Sequence, residues 1–188
     1  MKTDQPLTSG DALTLLARGE GIHTWLSLTE FVRQLPYGRN LNRSDLSLVL
    51  REKKGTCSSK HALLKRLADL NNVPDVQLIL GIYKMNEANT PGIGEELSRH
   101  SLDFIPEAHC YLKVDGERID LTTKGSDYRN IAKDVMIETE IQPSQVAAFK
   151  VSHHQDFLKQ WIRESGCPLD FDEIWQVREN CIRNLAGR

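Results

Sequence analysis

The stretch Ala108-His109-Cys110-Tyr111-Leu112-Lys113-Val114-Asp115-Gly116-Glu117-Arg118-Ile119-Asp120-Leu121-Thr122 decides the fold. Apolar and polar residues alternate on both sides of Asp115-Gly116. An aspartate-glycine pair between alternating runs marks a tight antiparallel hairpin. A two-residue turn sets the register: 114 faces 117, 112 faces 119, 111 faces 120 and 109 faces 122. Side chains on a strand alternate between faces. Cys110, Leu112, Val114, Ile119 and Leu121 therefore share an apolar face. His109, Tyr111, Lys113, Arg118, Asp120 and Thr122 share the other. His109 and Asp120 become diagonal neighbours, roughly 7–8 Å apart at the backbone, a gap that two side chains close with one hydrogen bond.

Upstream, Val76, Leu78, Leu80 and Ile82 alternate with Gln77, Ile79, Gly81 and Tyr83, which predicts a strand after Pro74. Residues 85–106 are rich in Asn, Pro, Gly and charge and read as one long connection, the kind that is often functional. Further upstream stands Gly55-Thr56-Cys57-Ser58-Ser59-Lys60-His61-Ala62-Leu63-Leu64. A helix-stopping glycine and a helix-capping threonine precede the cysteine, and an apolar periodic run comes after it. That grammar starts a helix at Cys57 and runs it to about Asn71. A thiol in the first turn meets free N–H groups and the positive end of the helix dipole, which favour thiolate.

The remaining elements are coarser. Residues 1–6 read as a loose tail, and Asp11 to Ala17 as a short helix. Ser27 and Glu30 form a capping-box pattern for a helix reaching Leu35 and stopped by Pro36. Ser44 or Asp45 caps a short helix that Gly55 ends, with Arg51, Lys53 and Lys54 at its solvated end. A strand is expected at Val146 to Val151, and His153-His154 reads as a solvated helix start. Two helices close the chain, about Gln155 to Glu164 and about Phe171 to Leu185, with Ile174, Trp175, Val177, Cys181, Ile182 and Leu185 as a packing stripe. Helices first, a small antiparallel sheet, then helices is an α+β layout.

The chain has 188 residues, enough for one compact domain over 1–188 with a real core. Its formal net charge is −2, with acids and bases mixed, so nothing favours nucleic acid or an anionic membrane surface. No leader pattern follows Met1 and no run approaches the roughly 20 apolar residues that span a bilayer. Cys57, Cys110, Cys167 and Cys181 form no CxxC pair or disulfide framework, and free thiols suit a reducing, cytoplasmic setting.

Thiol, imidazole and carboxylate together suggest nucleophilic chemistry. Cys57 would attack an amide carbonyl, His109 would carry the proton to the leaving amine, and Asp120 would orient the ring. The Cys57 N–H would serve the oxyanion, with Trp25, Tyr37 and Asn40 as candidates for a second donor. His61, four residues after Cys57, is expected to be a core histidine satisfied by backbone. The alternative is a zinc set of Cys57, His61 and His109 or Cys110, whose spacing matches no standard finger.

The Gly55–Leu64 segment resembles the nucleophile helix of the transglutaminase-like superfamily. The order of the later segments is similar too: strand, variable loop, Glu107-Ala108-His109-Cys110-Tyr111-Leu112, then Arg118-Ile119-Asp120-Leu121-Thr122. The resemblance covers about residues 25–125. It implies a papain-like α+β core, with the nucleophile helix packed on an antiparallel sheet and extra helices at both ends, including those at about 153–186. It also implies a cysteine peptidase, amidase or acyltransferase with the catalytic triad Cys57, His109 and Asp120. The sequence departs from the family in placing Cys110 where an aromatic residue commonly follows the histidine. No DxDxDG-type calcium loop is visible, which favours hydrolysis over crosslinking. The expected substrate is an amide in a protein or peptide, without cofactor or metal. The other reading is the same fold as a non-catalytic interaction module, with residues 85–106 as its binding element.

Overall fold

The structure is a computed structural model, and it describes residues 4–186. It is mixed α+β, with seven α-helices and one four-stranded antiparallel sheet among the described residues. The helices are α1 (Ala12–Gly19), α2 (Trp25–Gln34), α3 (Ser47–Arg51), α4 (Cys57–Leu70), α5 (Gly94–Arg99), α6 (Ala148–Ser165) and α7 (Phe171–Ala186). The strands are β1 (Val76–Met85), β2 (Ile105–Val114), β3 (Glu117–Ile119) and β4 (Val135–Ile141), in the spatial order β3-β2-β1-β4. No helix among the described residues is long and apolar enough to cross a membrane.

The hairpin register is as the turn predicts: Leu112 faces Ile119, Lys113 faces Arg118 and Val114 faces Glu117. Asp115 and Gly116 both take positive φ, 54° and 87°, the backbone that a tight hairpin turn demands and that aspartate and glycine tolerate. Pairing ends at Ile119, so Asp120 lies just beyond the ladder. The strand expected after Pro74 also forms, and β1 pairs β2 with Gly81 opposite His109.

Both sheet faces are covered. On one, Leu78, Leu80, Ile82, Ala108, Cys110 and Leu112 pack with Leu63, Leu64 and Leu67 of α4 and with α1–α3. On the other, Ile79, Tyr83, Met85, Ile105 and Tyr111 pack with Leu158 of α6 and with Ile174, Val177 and Cys181 of α7. That is why β1 has few polar positions despite its alternation. Gly81 has a spatial task here. A Cβ on it would come 2.7 Å from Tyr111 Oη. The bare backbone lets the Tyr111 ring cross β1 and donate to Glu138 Oε1 on β4 at 2.5 Å.

Several expectations are corrected. Residues 4–6 are not loose: Pro6 bridges Thr24, Trp25 N–H donates to Gln5 C=O at 2.8 Å, and Leu26 N–H donates to Asp4 Oδ1 at 2.9 Å; residues 1–3 lie outside the described chain. Thr24, not Ser27, caps α2, with Ser27 closing the box as its third residue. The 85–106 connection contains α5, and β2 starts at Ile105, inside it. The fourth strand is Val135–Ile141, while 146–151 leaves a 3₁₀ turn and enters α6 at Ala148. His153 and His154 fall inside α6. His154 is buried, with Nε2 bonded to the Pro106 carbonyl at 2.8 Å, because α6 lies on β2 there.

Candidate active site

Cys57 is the first residue of α4. Thr56 caps the helix: its Oγ1 accepts from Ser59 N–H at 3.3 Å, and Ser59 Oγ accepts from Thr56 N–H at 3.0 Å. The cap fixes the first turn and leaves the Cys57 and Ser58 N–H groups outside the intrahelical ladder. Gly55 is needed for space. A Cβ there would meet Lys60 Cγ at 2.8 Å and Ser59 Oγ at 2.9 Å. Gly55 also bridges Tyr37 in parallel, which brings that tyrosine to the start of α4.

His109 Nε2 and Asp120 Oδ2 stand 2.8 Å apart. The other carboxylate oxygen accepts from Thr122 N–H at 2.9 Å and from Thr122 Oγ1 at 2.6 Å. Asp120 is thus aimed by its own local turn. Burial opposes its charge, but His109 and these hydrogen bonds hold its carboxyl well below the usual range. Tyr83 meets the His109 ring edge-on with centroids 6.1 Å apart, and Tyr111 flanks it at the same separation. Nε2 is taken by Asp120, which leaves Nδ1 for the thiol.

Cys57 is 7 % exposed. Burial alone would push its thiol up. The positive charges of Lys150 and then His109 outweigh burial and bring it down to about 5. His109 moves the opposite way: burial disfavours its charge, but Asp120 and Cys57 hold its pKa well above the ordinary imidazole value. At neutral pH the pair is thiolate and imidazolium, the activated form of a cysteine nucleophile.

Lys150 is not legible in the sequence as a site residue, since 146–151 reads as a strand. It projects from the first turn of α6, donates to Ser58 Oγ at 2.7 Å and stands 3.8 Å from Cys57 Sγ. The C-terminal helices therefore contribute to the site.

His61 is the backbone-satisfied core residue that the helix pattern predicts. Leu121 N–H donates to Nε2 at 2.8 Å, which places the proton on Nδ1, and Nδ1 donates to the Cys57 carbonyl at 2.7 Å. One ring ties the first turn of α4 to the residue after Asp120. Burial keeps it neutral, with its pKa brought down to about 4. With both nitrogens engaged, His61 is no ligand for the zinc alternative, and no metal-holding His/Cys/Asp/Glu group exists among the described residues. Lys60 is a second hidden tie. Its Nζ donates to the Leu35 carbonyl at 2.5 Å and the Thr122 carbonyl at 2.6 Å, joining the end of α2 to the turn that aims Asp120.

Of the three upstream donor candidates, Trp25 is in the hydrophobic core. Asn40 is committed to structure: its Oδ1 accepts from Ser59, and its Nδ2 donates to Glu52 and Lys54. Tyr37 lines the cleft beside Cys57. Burial and then the Cys57 charge push its phenol up to about 12, so it keeps its proton and can donate.

The cleft has two lobes that meet at Cys57. One, about 430 Å³, includes His109, Asp120, Tyr83, Met85 and Ile131. The other, about 150 Å³, lies over the first turn of α4 and includes Lys150, Arg39 and Arg43. Glu107 and Ile182 line both. Glu107 is clamped by Arg178 through two contacts of 2.7 Å, which join β2 to α7 beneath the cleft. All four cysteines are free thiols. No family model, no curated protein and no solved structure matches the chain.

Proposed function

We propose that this chain is a cysteine-dependent amide hydrolase or acyltransferase of transglutaminase-like type, built on a papain-like core and acting on an amide in a protein or peptide. The observation that carries the reading is the convergence of Cys57, His109 and Asp120, from α4, β2 and the end of the hairpin, on one cleft.

The Cys57 thiolate attacks the amide carbonyl carbon. Negative charge develops on the oxygen near the first turn of α4, where the Cys57 N–H donates and Tyr37 is the second donor at hand. The tetrahedral species collapses as His109 gives its proton to the leaving nitrogen, and a thioester remains on Cys57. Neutral His109 then takes a proton from water, which attacks the thioester and releases the acid. An amine in place of water would give acyl transfer. Asp120 keeps the ring oriented and its charged form stable throughout.

The test is an electrophilic amide-mimic probe at neutral pH, with labelled sites mapped by mass spectrometry. Stoichiometric labelling of Cys57 ahead of the other three cysteines, lost in His109→Ala, supports the enzyme. Slow labelling spread over all four thiols contradicts it and leaves the non-catalytic interaction module.

A further inference from the structure

The cleft is asymmetric about the nucleophile, and the asymmetry specifies a substrate. In the proposed reaction, on which this inference rests, the leaving nitrogen must lie where His109 can protonate it. His109 lines the larger lobe, so that lobe takes the amine half of the amide. The acyl half falls to the smaller lobe across Cys57. The ionisable side chains lining that lobe, apart from Cys57, Tyr37 and the buried His154, are Arg39, Arg43, Lys150 and Arg178 against Glu107 and Glu179: four cations and two carboxylates.

The carboxylates there are already matched. Glu107 is held by both arms of Arg178, and Glu179 accepts from Arg178 at 2.5 Å and from Arg39 at 3.1 Å. Lys150 bonds the Ser58 hydroxyl and faces the Cys57 sulfur, whereas Arg43 makes no ion pair among the described residues. A surplus of positive charge thus lines a small concave lobe on a chain whose net charge is −2. Such a lobe focuses its field on an incoming anion, and arginine is suited to grip a carboxylate.

We propose that the acyl half of the substrate is anionic, with a carboxylate a few atoms from the scissile carbonyl seated toward Arg43 and Arg39. Neutral acyl groups of the same size are turned over less well, because they leave Arg43 unmatched.

Iodoacetate and iodoacetamide test this without knowledge of the natural substrate, since the two reagents place a charged or a neutral group beside the same sulfur. Cys57 alkylation by each is followed by mass spectrometry at pH 7, with each rate normalised to glutathione. The expected ratio favours iodoacetate by about fivefold or more. In the double variant Arg39→Gln/Arg43→Gln it falls by at least about threefold. Both arginines are exposed, so the variant keeps its core. His109 and Lys150 raise the ratio in both proteins alike, so the difference isolates the arginines. A ratio that matches glutathione, or that the double variant leaves unchanged, overturns the anionic acyl group while leaving the nucleophile in place. A Cys57 that resists both reagents overturns the nucleophile and this inference together.

Discussion

Lys150 stands 3.8 Å from the Cys57 sulfur, and its ammonium is held there by a 2.7 Å bond to Ser58 Oγ. An ammonium at this distance in a site shielded from water favours thiolate over thiol. Lys150→Met should raise the Cys57 pKa from about 5 toward the ordinary thiol range. The alkylation rate at pH 6 should fall at least about tenfold, because a thiol that is nearly all thiolate at that pH becomes mostly protonated. Lys150→Arg should retain most of the rate. The measurement is the iodoacetamide rate against pH for the parent and both variants.

In the proposed reaction, the pH dependence of turnover comes from the two partners. The thiol ionises near 5, so activity should rise through about pH 5 as Cys57 loses its proton. His109 must be charged to protonate the leaving amine, and its pKa is raised. Activity should therefore hold through neutrality and fall only on the alkaline side. A pH profile of kcat/KM on a peptide amide gives both limbs.

Asp120→Asn removes the charge that keeps the imidazolium stable and the Oδ2 contact that fixes the ring. The expected loss in kcat/KM is roughly 10²–10⁴-fold, with a lowered alkaline limb. The acid limb should move little, because Lys150 still faces the thiol.

His61 predicts a signature in stability. Its folded pKa, about 4, lies below its ordinary value of 6.5. Between those values the unfolded chain binds a proton that the native ring refuses. Stability is thus fully present above about pH 6.5 and declines as pH falls toward 4, by on the order of 3 kcal/mol. Urea unfolding at pH 7, 5.5 and 4.5 should show the decline, and His61→Gln should flatten it while lowering stability at pH 7 through the lost bonds to Cys57 and Leu121.

Gly81→Ala tests the packing that frames the histidine. The added methyl would press on Tyr111, whose ring flanks His109 and whose hydroxyl bonds Glu138. Overpacking of this kind costs about 1–3 kcal/mol. Thermal unfolding measures it, and kcat/KM should fall with it as the His109 ring loses its side wall.

The hairpin, the helix start at Cys57 and the approach of His109 to Asp120 are legible because each rests on local rules: a turn pair, a period of two and a capping threonine. Val135, Ile137, Thr139 and Ile141 alternate with Met136, Glu138 and Glu140. That period-two signal is also present in the sequence, yet the apolar 146–151 segment competes with it and wins the reading. The start of α2 is displaced because Thr24 and Ser27 are both good caps, and the pairing of Pro6 with Thr24 decides between them. Lys150, Lys60 and the contacts of His61 have no local signature. Their partners lie 60 or more positions away for Lys150–Ser58, Lys60–Thr122 and His61–Leu121, and no short-range pattern marks a buried cation or a neutral ring.

Ultraviolet absorbance of the thiolate, titrated from pH 3.5 to 10 in the parent and in Cys57→Ser, bears most directly on the site. The expected trace has a one-thiol step near pH 5 in the parent that is missing from the variant. A parent whose thiols all ionise at ordinary values, with no step that Cys57→Ser removes, would contradict an activated Cys57.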